Sequence, residues 1–411
     1  MNLELFIARR LLKGGGETTV SVPIVKIALA GIALGVCVML LSIFIITGFK
    51  KEITDKLSGF SAHLNVVSYG SSVTGTGERV GITDSLLGNI RGLKEVKDLH
   101  VYVTKPAILK SKTEIHGVAL NGVDSSFRGD FFRKDLKEGN FPDFGTEEVS
   151  NDILISSYVA DILDVKAGEK ISAHFVQDPP RVRSFTVKGI YDSGFAEYDD
   201  VFVLCDIRHL QRLNGWNPDE VSGIAVDLYD VQKTDQVAEA IDDLLPWEGE
   251  NHFYKINTLR QTAPQVFDWL DLLNMNVWII LILIIIVAGF NMVSGLLILI
   301  LDKTALIGML KALGYKNLKL RKLFLYIAMG LIGRGMFWGN VLALLLGGIQ
   351  YYFKVIHLDP VTYYMDTVPV HFDLFYILLL NIGVLLVSTL MLVVPTMLIS
   401  RIRPIRAIRF E

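Results

Sequence analysis

The chain has 411 residues, 51% of them hydrophobic, and a formal net charge of −3 at pH 7. A mean hydropathy of +0.43 excludes an ordinary soluble enzyme of this length. Basic residues gather in short clusters beside apolar runs, the pattern of membrane flanks, which excludes a nucleic-acid surface.

Residues 1–26 read as a cytoplasmic amphipathic segment carrying Arg9, Arg10, Lys13 and Lys26. Residues 27–49 form the first apolar run, and similar runs follow at 277–301, 323–349 and 374–400. Each exceeds the roughly 20 residues that a helix needs to cross about 30 Å of hydrocarbon. The first begins too late and runs too long for a cleavable signal, so it reads as a signal anchor. It holds Gly31 and Gly35 at the spacing that lets helices approach closely. Cys37 follows Val36, which does not suit lipid attachment, and the only other cysteine is Cys205, in a different compartment by this topology.

Residues 50–272 have the composition of a folded mixed α+β domain. Strand-like stretches rich in Val, Ile, Phe and Thr recur at 63–70, 101–110, 113–123, 170–176, 183–192, 200–206 and 222–230. Helical patterns fall at 83–98, 156–165, 206–215 and 233–246, and 71–77 reads as a flexible loop. The stretch HFVQDPPRVRSF puts Pro179 and Pro180 between two strands. Prolines cannot donate to a central ladder, so this predicts a protruding hairpin with Gln177, Asp178, Arg181 and Arg183 at its tip. The histidines are scattered without metal-ligand spacing, and no nucleophile elbow or Walker A loop occurs. The chain is therefore read as no enzyme and as binding no cofactor of its own.

The second span, 273–301, carries Asn291 and Ser294 and leads into a cytoplasmic link, 302–322. On a helical wheel Leu306, Met309, Leu310 and Leu313 share one side of this link, with Thr304, Gly308, Lys311 and Tyr315 opposite and Gly314 as terminator. The third span, 323–349, contains Gly335, Gly339 and Arg334. An arginine deep in lipid is expensive and should face a partner helix, a cavity or a headgroup. A short outer loop, 350–373, precedes the fourth span, 374–400, and the tail, 401–411. The outer loop has one positive charge, Lys354, whereas 1–26, 302–322 and the tail are all basic. This places both termini and the link in the cytoplasm, and 50–272 and 350–373 outside the cytoplasmic membrane.

Several stretches together carry a resemblance over the full chain: FIARRLL (6–12), GIALGVCVMLLSIFIITGF (31–49), RSFTVKGIYDSGFAEYDDVFV (183–203), FNMVSGLLILILDKTALIGMLKALG (290–314), YYMDTVPVHFD (363–373) and RIRPIRAIRFE (401–411). In this order they resemble the permease subunits of lipoprotein-releasing (Lol) ABC transporters, within the wider group of macrolide-exporter and cell-division permeases. The resemblance implies a four-span permease with a periplasmic porter- and sabre-like domain. Two cytoplasmic ATPases would bind ATP and Mg, and a second permease, identical or related, would complete the complex. Thr304, Leu306, Gly308, Met309, Leu310, Lys311 and Leu313 would form the coupling helix. The hairpin from Gln177 to Arg183 would hook a periplasmic lipoprotein chaperone, and lipoproteins would approach laterally against Gly31, Gly35, Val38, Phe44, Phe290 and Val293. An efflux permease for macrolides or peptides, or a cell-division signalling permease, shares the four-span plan, and a membrane-anchored enzyme is the rival of a different class.

Overall fold

The apolar runs account for less helix than the chain forms. In the computed structural model, residues 4, 6–8, 21–71, 78–245 and 254–397 are described. Most of the N-terminal segment, all but Ser71 of the expected loop over 71–77, Pro246, the last residues of the fourth run and the tail lie outside the described residues. Two compact units emerge: 1–50, 270–356 and 367–411 in one, 51–269 and 357–366 in the other.

Among the described residues four helices are long and apolar enough to cross a membrane. The first, Ser21–Ser61, has 41 residues, about 60 Å at 1.5 Å per residue. The outer unit begins at Lys51, inside this helix. After Phe49 the pattern changes from wholly apolar to a single stripe: Ile53, Leu57 and Phe60 are buried while Lys51, Glu52 and Asp55 are exposed. The second helix, Pro264–Asp302, likewise starts ahead of its apolar run, with Pro264 opening it, where its missing N–H costs nothing. The third is Asn317–Phe353 and the fourth Leu374–Thr396.

Small residues set the packing of the membrane unit. A Cβ on Gly335 would lie 2.7 Å from Ile32 Cγ2, and one on Gly339 2.7 Å from the Ala33 carbonyl oxygen. These two glycines are therefore what lets the third span lie against the first. The third and fourth spans are joined by two side-chain amides. Asn340 Nδ2 donates to Asn381 Oδ1 at 2.8 Å, and Asn381 Nδ2 returns a bond to Asn340 Oδ1 at 2.9 Å. In hydrocarbon an amide has no water to turn to, so such a reciprocal pair fixes register as well as contact. Near the outer end of the third span, Gln350 is buried and its amide accepts from Ile356 N at 2.9 Å and donates to Val368 O at 3.0 Å, closing the base of the outer loop. Arg334 is exposed on the third span, one turn from exposed Trp338.

The outer unit is built on β1 (Leu64–Ser68), β2 (Val80–Gly81), β3 (Val96–Lys110), β4 (Ile115–Val123), β5 (Leu136–Gly139), β6 (Asp152–Ser156), β7 (Lys170–Phe175), β8 (Arg181–Tyr191), β9 (Phe202–Asp206), β10 (Glu220–Val221), β11 (Gly223–Leu228) and β12 (Tyr254–Thr258). Ten of them form one sheet in the order β12–β1–β11–β3–β4–β9–β6–β8–β5, with β7 paired to β3 and β8. β4–β9 and β6–β8 are parallel and the long pairs antiparallel, so the sheet is mixed. Helices Asp84–Arg91, Ser157–Leu163, Ile207–Asn214 and Thr234–Asp242 accompany it. The helix expected over 83–98 stops at Arg91. Gly92 caps it, and Val96 already pairs with Leu228 in the sheet, so strand pairing overrides the helical pattern. A core from Leu64, Val103, Leu120, Ile155, Phe185 and Val226, all essentially inaccessible, holds the layers together.

Candidate functional site

Three regions carry the residues singled out by sequence, and each is built by local chemistry. The link after the second span forms helix Thr304–Ala312. It ends because Gly314 takes φ +88°, a conformation costly for any residue with a Cβ. Gly314 N then bonds Lys311 O at 3.0 Å and Tyr315 N bonds Leu310 O at 2.9 Å, satisfying carbonyls of the last turn. The helix turns Ile307 and Gly308 inward, while Met309 is 58% and Leu313 78% exposed. Thr304, Leu306, Leu310 and Lys311 are half-buried along the flanks. The wheel set Gly308 opposite the apolar side of Leu306, Met309, Leu310 and Leu313 and did not single out Ile307, the most buried side chain of the helix. Two apolar side chains one turn apart, exposed at the free face of a short helix, are a surface that a partner or a lipid layer covers.

The proline stretch forms the turn between β7 and β8, which pair from Lys170–Thr186 to Phe175–Arg181. Asp178, Pro179 and Pro180 are exposed at the tip, and Gln177 is half-buried with its Oε1 unpartnered. Strand alternation divides the rest. Arg181 and Arg183 stand opposite Phe175 and Ala173, whose side chains are buried. Val182 stands opposite His174, which in turn stands opposite Ile108 of β3, so these three share the open face. Val176, 86% exposed, continues that face. Sequence reasoning named the polar tip and missed Val176 and Val182. The signal was available: with Ile171, Ala173 and Phe175 in the inward phase, Val176 is an apolar residue in the outward one.

The lateral surface is brought together only in part. A Cβ on Gly31 would lie 3.4 Å from Asn291 Nδ2 and one on Gly35 3.4 Å from Ile284, so both glycines border the second span. Val38 and Phe290 are exposed and Val293 half-buried. Phe44 does not belong with them. It is fully buried, with its ring 5.0 Å from that of Phe372 in an edge-on contact, because its position on the helix turns it into the bundle.

Among the described residues the outer unit holds two buried acids, Asp206, which pairs with Arg208 at 2.6 Å, and Asp199. Asp199 is 4% exposed and accepts from Ser193 Oγ at 2.7 Å. Burial raises its pKa from 3.8 to about 6, with Asp192 adding to the rise and the Ser193 hydrogen bond opposing it. The carbonyl of the same residue accepts from the Ser156 hydroxyl, which also caps the helix Ser157–Leu163. Both cysteines are free and buried, and burial pushes the Cys205 thiol far up, so that it is inert.

Two family models match in succession along the chain. Residues 27–244 match the family described as the MacB-like periplasmic core domain, and residues 278–404 match the FtsX-like permease C-terminal family. The chain is 26% identical to the lipoprotein-releasing system transmembrane protein LolC of Neisseria meningitidis serogroup B, over 100% of both chains. It is 25% identical to LolC of Xylella fastidiosa strain 9a5c over 93% of each chain. It is 22% identical to the lipoprotein-releasing system transmembrane protein LolE of Haemophilus influenzae, over 98% of each.

Proposed function

Because the chain belongs to the family built on the MacB-like periplasmic core domain, here followed by an FtsX-like permease C-terminal part, we propose that it is the permease subunit of a lipoprotein-releasing ABC transporter. It sits in the bacterial inner membrane with both termini in the cytoplasm and residues 50–272 and 350–373 in the periplasm. ATP and Mg are bound by two separate cytoplasmic ATPase subunits, and a second permease, identical or related, completes the complex. The chain itself catalyses no reaction. It uses the ATPases' work to draw lipoproteins from the outer leaflet and pass them to a periplasmic chaperone.

The observation that carries this reading is similarity to LolC and LolE along whole chains, spans and outer domain together. The physical demands agree with it. Removing an acyl chain from a bilayer costs about 0.8 kcal/mol per CH₂, so release needs an outside energy source and no polar channel. The exposed Met309–Leu313 stripe supplies a surface for the ATPase. Val176, Pro179, Pro180 and Val182 supply a stiff, partly apolar tip for the chaperone. Val38, Phe290 and Val293, with Gly31 and Gly35 beside them, supply the lateral surface for the lipid anchor.

The test is a photo-crosslinking amino acid at Val176 in cells, followed by mild purification of the chain. The expected result is co-purification of an ATPase and a permease, and a crosslink to a soluble lipoprotein chaperone. Recovery of an efflux adaptor at that position, with no chaperone, would overturn the reading in favour of an exporter.

A further inference from the structure

The outer unit includes one segment from far along the chain, His357–Asp366, the connection between the third and fourth spans. Tyr364 stands at its centre. The Tyr364 ring lies 4.7 Å from Phe195 and 6.0 Å from Trp269, centroid to centroid, and its hydroxyl is 3.5 Å from Glu197 Oε1. Phe195, fully buried, in turn lies 6.5 Å from Phe60 and 5.1 Å from Tyr198. Phe60 closes the first long helix and Trp269 lies in the opening turns of the second. Phe60 is itself surrounded by Phe131, Phe132, Tyr198 and Phe202 at 4.8–5.5 Å. A run of rings therefore leads from one helix end, through the 193–200 turn and Tyr364, to the other.

A cation fastens the same place. Lys56 Nζ donates to the Ser193 carbonyl at 2.6 Å and to the Tyr364 carbonyl at 3.1 Å. The ammonium thus clamps two backbone segments about 170 residues apart in sequence, which is a loop closure that local structure could not supply. Tyr364 has φ +60°, a region that bulky residues seldom occupy, so the surrounding contacts must hold it there.

We propose that Lys56 and Tyr364 are positioning residues that bind the connection between the third and fourth spans to the outer ends of the first and second helices, so that these parts move as one body in the transport cycle. The proposal rests on the transport reading above. A packed cluster of rings with a clamped backbone is stiff, and stiffness is what passing a displacement on requires.

The test uses the purified, reconstituted complex carrying Lys56→Met, Tyr364→Ala or Tyr364→Phe. Two quantities are read: ATP-driven lipoprotein release, and amide exchange over 193–200 and 357–366 with and without nucleotide. In the wild-type complex both segments should change exchange together on nucleotide binding. Lys56→Met and Tyr364→Ala should abolish the response of 357–366 and lower release roughly three- to thirty-fold, with ATP hydrolysis held within about twofold. Tyr364→Phe, which keeps the ring contacts, should behave as wild type. Wild-type release and exchange in Lys56→Met would overturn the proposal. Should Tyr364→Ala fail to assemble, Lys56→Met, which removes no ring, decides alone. A wild-type complex that hydrolyses ATP without releasing lipoprotein would instead defeat the transport reading, and the exchange comparison would still judge the connection.

Discussion

At the scale of single residues, Asp199 makes the outer domain sensitive to pH. Its folded pKa of about 6 lies above its ordinary 3.8 because the carboxyl is buried. The folded state therefore holds a proton that the unfolded state gives up between about pH 4 and pH 6, and stability falls as pH rises through that window. Above it the full penalty remains. Asp199→Asn keeps the acceptor for the Ser193 hydroxyl and removes the charge. It should raise stability by about 1–2 kcal/mol at pH 8 and by little at pH 4. Thermal unfolding of the detergent-solubilised chain at the two pH values measures this, and an unchanged or lower Tm at pH 8 would refute it. The sequence shows Asp199 only as half of the acidic pair Asp199–Asp200. In the run EYDD it reads as the end of a turn, and only the fold puts Ser193 and Ser156 around it. The Asn340–Asn381 pair was hidden for the same reason. Each asparagine is legible as a polar residue in a span, but their meeting depends on the register of two helices.

At the scale of elements, the helix after the second span makes the sharpest demand. Gly308 is buried and Ile307 inaccessible, so a bulky charge at either would disturb the chain's own packing first. Met309 and Leu313 are the exposed pair, and they offer the clean test. Met309→Glu with Leu313→Glu should leave insertion and folding intact and lower ATPase recovery in pull-down at least about tenfold, as losing two apolar anchors at an interface does. ATPase recovery equal to wild type would remove this helix from the coupling role. Elements of this kind were well marked in the sequence, since the four spans announce themselves by composition and the helix by its period and its terminating Gly314. The edges were not. Ile53, Leu57 and Phe60 carry the first helix beyond its apolar run by a stripe that composition alone does not reveal. β6 and β12 are short, and their pairing with β8 and β1 comes from distant parts of the chain. The lateral surface was half legible: exposure of Val38 and Phe290 follows helix phase, but the burial of Phe44 is set by Phe372, more than 300 residues away in sequence.

At the scale of the whole molecule, the proposed function asks no chemical group of this chain to make or break a bond, and its part would be mechanical. On that proposal the helix Thr304–Ala312 would receive the ATPase, the apolar spans would present a lateral surface, and the outer domain with its hairpin would receive the released protein. The most direct measurement is release from proteoliposomes holding this chain, its ATPase and its partner permease, loaded with a triacylated lipoprotein and supplied with the soluble chaperone. The account predicts that lipoprotein appears in the soluble fraction bound to chaperone only when ATP can be hydrolysed, and that Met309→Glu with Leu313→Glu abolishes it. Lipoprotein that stays in the membrane during sustained ATP hydrolysis by the complete complex, with chaperone present, would contradict it.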